Sequence, residues 1–173
     1  SRAFSEEHPE IKRVKKLGLK IIAYNELLGK LSSEFKTIGV SGTHGKTTTS
    51  TMISHVLNNT KGCNYFIGDG SGFADRKNKL FTLESCEFNR HFLSYHPYYA
   101  IVTNIELEHT ECYKDINEII ETFSSFANKA SVVVACGDDS NVRSMKVNNK
   151  VTYYGFNDDN DVVAKNIKLS KDG

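Results

Sequence analysis

The chain has 173 residues, of which 39% are hydrophobic and 25% charged, with a formal net charge of +1. That length carries one good core, or one domain with part of another, and without a basic stripe interleaved with aromatics no nucleic-acid partner is expected. Cys63, Cys86, Cys112 and Cys136 are scattered with no Cys-x-x-Cys pair, which argues against a structural zinc site or a secreted disulfide framework and for a reduced, cytoplasmic protein.

In chain order, Pro9 suits an early helical position, Glu10 to Leu17 is amphipathic and Gly18 closes a first helix. Leu19 to Ala23 reads as a short strand, Asn25 as the cap of a helix over 26–31, and Ser32-Ser33 as a linker. Residues 1–35 read as an αβα piece that does not belong to the nucleotide site.

From Lys36 a β-branched strand runs to Val40, and a helix is predicted from Thr48 to Leu57. Between them lies Gly42-Thr43-His44-Gly45-Lys46-Thr47-Thr48, which reads as a phosphate-binding loop. Glycines let consecutive N–H groups converge, and the helix N-terminus adds partial positive charge. Lys46 reaches outer phosphates as a point charge, and the Thr47 hydroxyl suits Mg²⁺. The usual spacing wants glycine at position 40, where Val40 stands; the glycines are instead Gly39, Gly42 and Gly45. ATP with Mg²⁺ is the expected ligand.

Further strands are predicted at 64–67, 80–84, 99–104, 132–135, 150–154 and around 162–169. Gly68 to Gly72 is a turn, Phe88 to Tyr95 a short helix ended by Pro97, and helices follow over 117–127 and 139–145. This alternation predicts an α/β fold with a doubly wound, mostly parallel sheet. Ligands then bind at the carboxyl ends of strands. Three strands end in ligand-type residues: at the phosphate loop, at Glu84, and at Asn104 with His109 shortly after. Glu84, Asn104 and His109 are expected to converge near Lys46 and Thr47, with Glu84 the hard oxygen ligand Mg²⁺ prefers. His44 either contacts a phosphate or fills the loop; Arg90 and His91 read as packing and capping, and Asp139 as a helix N-cap.

The string Gly-Thr-His-Gly-Lys-Thr-Thr-Thr resembles the ATP loop of the Mur ligases, the ATP-dependent amide-forming enzymes of peptidoglycan precursor synthesis, and most resembles the branch that adds L-alanine. The segment Thr103-Asn104-Ile105-Glu106-Leu107-Glu108-His109 resembles that family's Thr-Asn-Ile-x-x-Asp-His motif, with Glu108 where aspartate is usual. The resemblance implies a catalytic set of Lys46, Glu84 and His109. It assigns nucleotide contacts to Gly42, Thr43, His44, Gly45, Lys46, Thr47, Thr48 and Asn104, and metal ligation to Thr47, Glu84 and His109. It implies UDP-N-acetylmuramate and L-alanine as substrates, joined through an acyl phosphate.

By the same resemblance, residues 1–35 are the tail of a Rossmann-like UDP-binding N-terminal domain and 36–173 an ATP-binding central domain incomplete at its C-terminus. The amino-acid-binding domain is then absent, and the piece alone is expected to be inactive. Open alternatives are the murein peptide ligase of cell-wall recycling, a P-loop phosphotransferase or regulatory NTPase, and a non-catalytic nucleotide-binding module. No apolar run approaches the ~20 residues that span a bilayer, so no membrane insertion is expected.

Overall fold

The structure is a computed structural model and describes residues 5–168. Helix α1 (Pro9–Lys16) carries Pro9 in its first turn, is capped by the His8 side chain, and buries no residue. The segment predicted as a strand, Leu19 to Ala23, is irregular, and Leu19, Ile21 and Ile22 are 60%, 51% and 38% exposed. No neighbouring strand among the described residues offers it a ladder. Helix α2 (Tyr24–Glu34) starts earlier and runs longer than expected. Ala23 takes the N-cap position in place of Asn25, with Glu26 reaching back to the Ala23 N–H, and Ser32 and Ser33 are helical. Buried Leu28 joins the main core, and Ser32 accepts from the His96 N–H while its hydroxyl donates to Gly29 O.

The remaining elements are β1 (Lys36–Ser41), α3 (Lys46–Asn58), β2 (Cys63–Phe66), β3 (Gly72–Phe73), β4 (Leu80–Glu84), a 3-10 segment (Phe88–Ser94), β5 (Tyr99–Val102), α4 (Ile116–Ala127), β6 (Val132–Cys136), α5 (Ser140–Arg143), β7 (Val151–Gly155) and β8 (Val162–Val163). They form one sheet in the order β3-β2-β4-β1-β5-β6-β7-β8. Every pairing is parallel except β2 with β3. The expected doubly wound sheet is present. The turn over Gly68 to Gly72 opens into the short antiparallel β3, β5 stops at Val102 instead of Asn104, and the last strand shrinks to two residues. Leu169, the end predicted for that strand, lies outside the described residues.

The main core lies between the sheet and α2, the 3-10 segment and α4. Phe81, Leu83, Ala100, Val102, Val133 and Ala135 point from alternating strand positions toward Phe92, Phe123 and Phe126. Phe92 stacks on Phe126 at 4.7 Å and meets Phe123 edge-on at 5.2 Å. α4 seats these rings because its apolar residues recur at helical spacing and Asp115 caps it by accepting from the Glu118 N–H. Gly39 lets β1 lie close under α4: a Cβ there would stand 2.9 Å from Phe126 Cζ. β1 is thus buried at the centre of the sheet, between β4 and β5.

Candidate functional site

The carboxyl ends of β4, β1 and β5 lie side by side, since Val40 pairs with Glu84 and Ser41 with Val102. This adjacency assembles the site. The chain leaves β1 through Gly42, with φ +142°, and Gly45, with φ +79°, which forms the N-cap of α3. A Cβ at Gly42 would stand 1.9 Å from Thr103 Oγ1, so only glycine allows the loop to lie against β5's exit. α3 begins at Lys46, two residues before the predicted start. Its first-turn N–H groups point out of the helix end without intrahelical partners, which is the arrangement that receives phosphate.

Lys46 folds along the loop. Its Nζ donates to Gly42 O at 2.5 Å and Thr43 O at 3.0 Å, and lies 3.1–3.2 Å from both carboxylate oxygens of Glu87. Thr47 Oγ1 donates to Glu84 Oε2 at 3.0 Å, and the same oxygen accepts from the Gly68 N–H at 2.8 Å. A Cβ at Gly68 would stand 2.4 Å from Glu84 Oε1, so a larger residue there displaces the Glu84 carboxylate. The helix start and the end of β4 therefore present Thr47 and Glu84 as neighbouring oxygens from two elements.

Asn104 braces the loop. Its Oδ1 accepts from the His44 N–H at 2.8 Å, its Nδ2 donates to His44 O at 3.1 Å, and its own carbonyl accepts from the Thr43 N–H at 3.0 Å. The Thr43 and His44 amides are thus committed to Asn104, which leaves the Gly45 to Thr48 amides to face a ligand. The His44 ring points outward, 3.7 Å from Glu106 and Glu108.

His109 joins the group through Glu87, with Nε2 3.4 Å from Glu87 Oε1, and Phe88 meets its ring edge-on at 5.1 Å. Its backbone is left-handed, φ +54°, while its carbonyl accepts from the Cys112 and Tyr113 amides. That is local strain of the kind stored at functional sites.

Glu87 is the residue that sequence reasoning missed as a site member. It is 3% exposed, contacts both Lys46 and His109, and receives no hydrogen bond at Oε2. Its backbone carbonyl accepts the Tyr113 hydroxyl at 2.5 Å, and burial raises that phenol's pKa well above the ordinary value. Glu87, Glu108 and His109 bring ligand-type atoms within 4.8 Å of one another. The signal was present in the sequence only as Glu87's position three residues after Glu84.

Arg90 pairs with Glu118 of α4 and lies 4.9 Å over the Tyr113 ring, pinning a left-handed Asn89-Arg90 kink; it packs, as expected, and does not reach the loop. The Cys86 thiol is pushed up mainly by burial and is not a nucleophile of the site.

Two groups of donors suit a hard divalent cation: Thr47 Oγ1 with Glu84 Oε2, 3.0 Å apart, and Glu87 with Glu108 and His109, whose ligand-type atoms lie within 4.8 Å of one another. Imidazole at His109 is the softer member. The arrangement fits phosphoryl transfer, where positioning and charge stabilisation do the chemistry.

Residues 40–173 match a family model described as the Mur ligase middle domain. Over 172 residues the chain is 42% identical to the UDP-N-acetylmuramate–L-alanine ligase of Lactiplantibacillus plantarum, a match covering 99% of this chain and 39% of that protein. Among solved structures, the UDP-N-acetylmuramate:L-alanyl-gamma-D-glutamyl-meso-diaminopimelate ligase of Neisseria meningitides superposes with a TM-score of 0.75 at 21% identity, over 88% of this chain and 56% of that one. The UDP-N-acetylmuramate-alanine ligase of Thermotoga maritima does so with a TM-score of 0.68 at 26% identity, over 80% and 34%. The chain spans about two-fifths of the length of the curated relative it matches.

Proposed function

Because the chain belongs to the Mur ligase family, we propose that its phosphate loop seats ATP for a ligase that joins L-alanine to UDP-N-acetylmuramate in the cytoplasm. One observation carries the nucleotide reading: Lys46 and Thr47, at the start of α3, meet Glu87, just before the 3-10 segment, and Glu84, the last residue of β4. In this reading the lysine serves the phosphates, and the Thr47 and Glu84 oxygens beside it serve the metal. The alanine-adding branch is favoured by 42% identity to a ligase of that name along nearly the whole chain.

The γ-phosphoryl group passes to the carboxylate of UDP-N-acetylmuramate, breaking the bond to the β-phosphate oxygen and releasing ADP. The amine of L-alanine then attacks the acyl carbon, phosphate leaves, and the amine loses a proton. Lys46 and the Gly45 to Thr48 amides hold the phosphates and offset charge that develops in transfer. Thr47 and Glu84 would hold Mg²⁺, with His109 at its margin. When bound, the metal neutralises the outer phosphate oxygens. Glu87 keeps Lys46 extended along the loop, and Asn104 keeps the loop open for the phosphates.

In this reading residues 1–35 are the tail of a UDP-binding domain, with α2 docked on the ATP-binding domain. The remaining substrate-reading parts belong to the rest of the whole protein, and the 173-residue piece alone does not turn over. The second reading is a murein peptide ligase, a relative that shares this fold.

The test is phosphate release by the full-length protein with ATP and Mg²⁺. Release that requires UDP-N-acetylmuramate and L-alanine together supports the proposal. Release with the peptide L-Ala-γ-D-Glu-meso-diaminopimelate, and none with L-alanine, moves the assignment to the peptide ligase.

A further inference from the structure

Asp139, three residues after β6 and at the N-cap of α5, has two carboxylate oxygens that face different partners. Oδ1 accepts from the Asn141 and Val142 amides at 2.8 and 2.9 Å, which is the expected N-cap of α5. Oδ2 accepts from the Ile105 N–H at 3.1 Å, across 34 residues of chain. Asn141, in the first turn of α5, donates its Nδ2 to the Ile105 carbonyl at 2.8 Å. Both backbone groups of Ile105, a fully buried residue, are therefore held by one capped turn.

The residues on either side of Ile105 are those that brace the phosphate loop. Asn104 holds the His44 peptide from both sides and the Thr43 amide. The Glu106 N–H donates to Thr43 Oγ1 at 2.8 Å. A continuous set of hydrogen bonds thus runs from α5 through Ile105 to Thr43 and His44, the loop residues immediately before Gly45 and Lys46.

We infer that Asp139 and Asn141 are positioning residues for the phosphate loop, acting through Ile105 to hold the Asn104–His44 brace in its nucleotide-ready form. This rests on the ATP-site reading above. It goes beyond capping because a cap needs one carboxylate oxygen, and the second is committed to the motif that carries Asn104.

The Asp139→Asn variant separates the two roles. An amide oxygen caps α5 as well as a carboxylate does, but the amide nitrogen then meets the Ile105 N–H donor to donor. The bonds to Asn141 and Val142 keep the oxygen where it is. Asn141→Ala removes the other half of the clamp. In the full-length protein, each variant and a Ser144→Ala control at the C-cap of α5 are measured for ATP–Mg²⁺ dissociation constant and, without nucleotide, for thermal midpoint.

We expect about tenfold weaker ATP binding for Asp139→Asn and Asn141→Ala, from one buried backbone group left unsatisfied, and wild-type binding for Ser144→Ala. A purely structural role instead lowers the midpoint and leaves the affinity of the folded protein unchanged, and that result overturns the inference. Wild-type protein that binds no ATP at all overturns the ATP-site reading itself, and this inference with it.

Discussion

The Lys46 ammonium stands 3.1 Å from Oε2 of Glu87, with the two side chains only 13% and 4% exposed. Lys46, the first residue of α3, reaches Glu87, three residues beyond the end of β4, and the pair holds the lysine at the carboxyl edge of the sheet. The geometry there is ionic more than hydrogen-bonded, since Oε2 receives no bond of good geometry while Oε1 does.

Removing one member of a buried pair strands the other. Lys46→Ala and Glu87→Ala are each expected to destabilise the fold by about 3 kcal/mol, read by urea unfolding. In the double variant the losses fall short of their sum by at least ~1 kcal/mol. Strict additivity would show that the two side chains do not act as a pair.

Glu84 accepts from both Thr47 and the Gly68 amide. Glu84→Gln keeps the shape and removes the charge, so the Mg²⁺ concentration needed for half-maximal ATP binding should rise by about tenfold or more, with little change in thermal midpoint. A magnesium titration that superposes on wild type would remove Glu84 from the metal site.

The two loop glycines differ in kind. Gly42→Ala meets Thr103 Oγ1 at 1.9 Å in a backbone conformation that side chains rarely adopt, whereas Gly45→Ala meets open space and bears only the strain of φ +79°. Destabilisation of roughly 2–4 kcal/mol is expected at Gly42 and about 1 kcal/mol at Gly45. Chemical denaturation of both variants checks the order.

Burial pushes the Tyr154 phenol up to about 12 from its ordinary 10.0, and Tyr95 and Tyr113 are raised for the same reason. A raised phenol stabilises the fold fully below the unfolded value, and that contribution is lost as pH climbs through the folded one. Stability should therefore begin to fall above about pH 10, and Tyr154→Phe should make the fall shallower between about pH 10 and 12. At the acid end the sign reverses. Asp138 is held below the usual carboxylate range, chiefly by the Phe156 amide and then by Asn157, Asn160 and Arg143. Its contribution is present above the unfolded carboxylate range and disappears as pH falls through the lowered folded value. Equilibrium unfolding across the two pH ranges, with Asp138→Asn at the acid end, measures both limbs.

The central sheet was legible because its strands are buried apolar runs between glycine-rich or polar turns, and β1 to α3 carries its chemistry locally in the Gly-Lys-Thr run. The convergence of Glu84 and Asn104 on that run followed from strand ends alone. Leu19 to Ala23 misled because its apolar pattern looks like a strand, yet ladder pairing is a property of neighbours and not of the segment. β3 is two residues long and pairs only through the reversal at Gly70, φ +88°. Glu87 and Asp139 were undervalued for a common reason. Each works across long sequence separation, Glu87 on Lys46 and His109, Asp139 on Ile105. No local spacing encodes such contacts.

Lys46 and its neighbours are central to the proposed function as the seat of a triphosphate. The most direct test is calorimetric titration of ATP–Mg²⁺ into the full-length protein and into its Lys46→Ala/Glu87→Gln variant, in which no buried charge is stranded. Saturable binding by the wild type that weakens roughly 30-fold or more in the folded variant, as expected for losing a charge-assisted contact of about 2 kcal/mol, is the predicted result. Equal affinity in both proteins would contradict it.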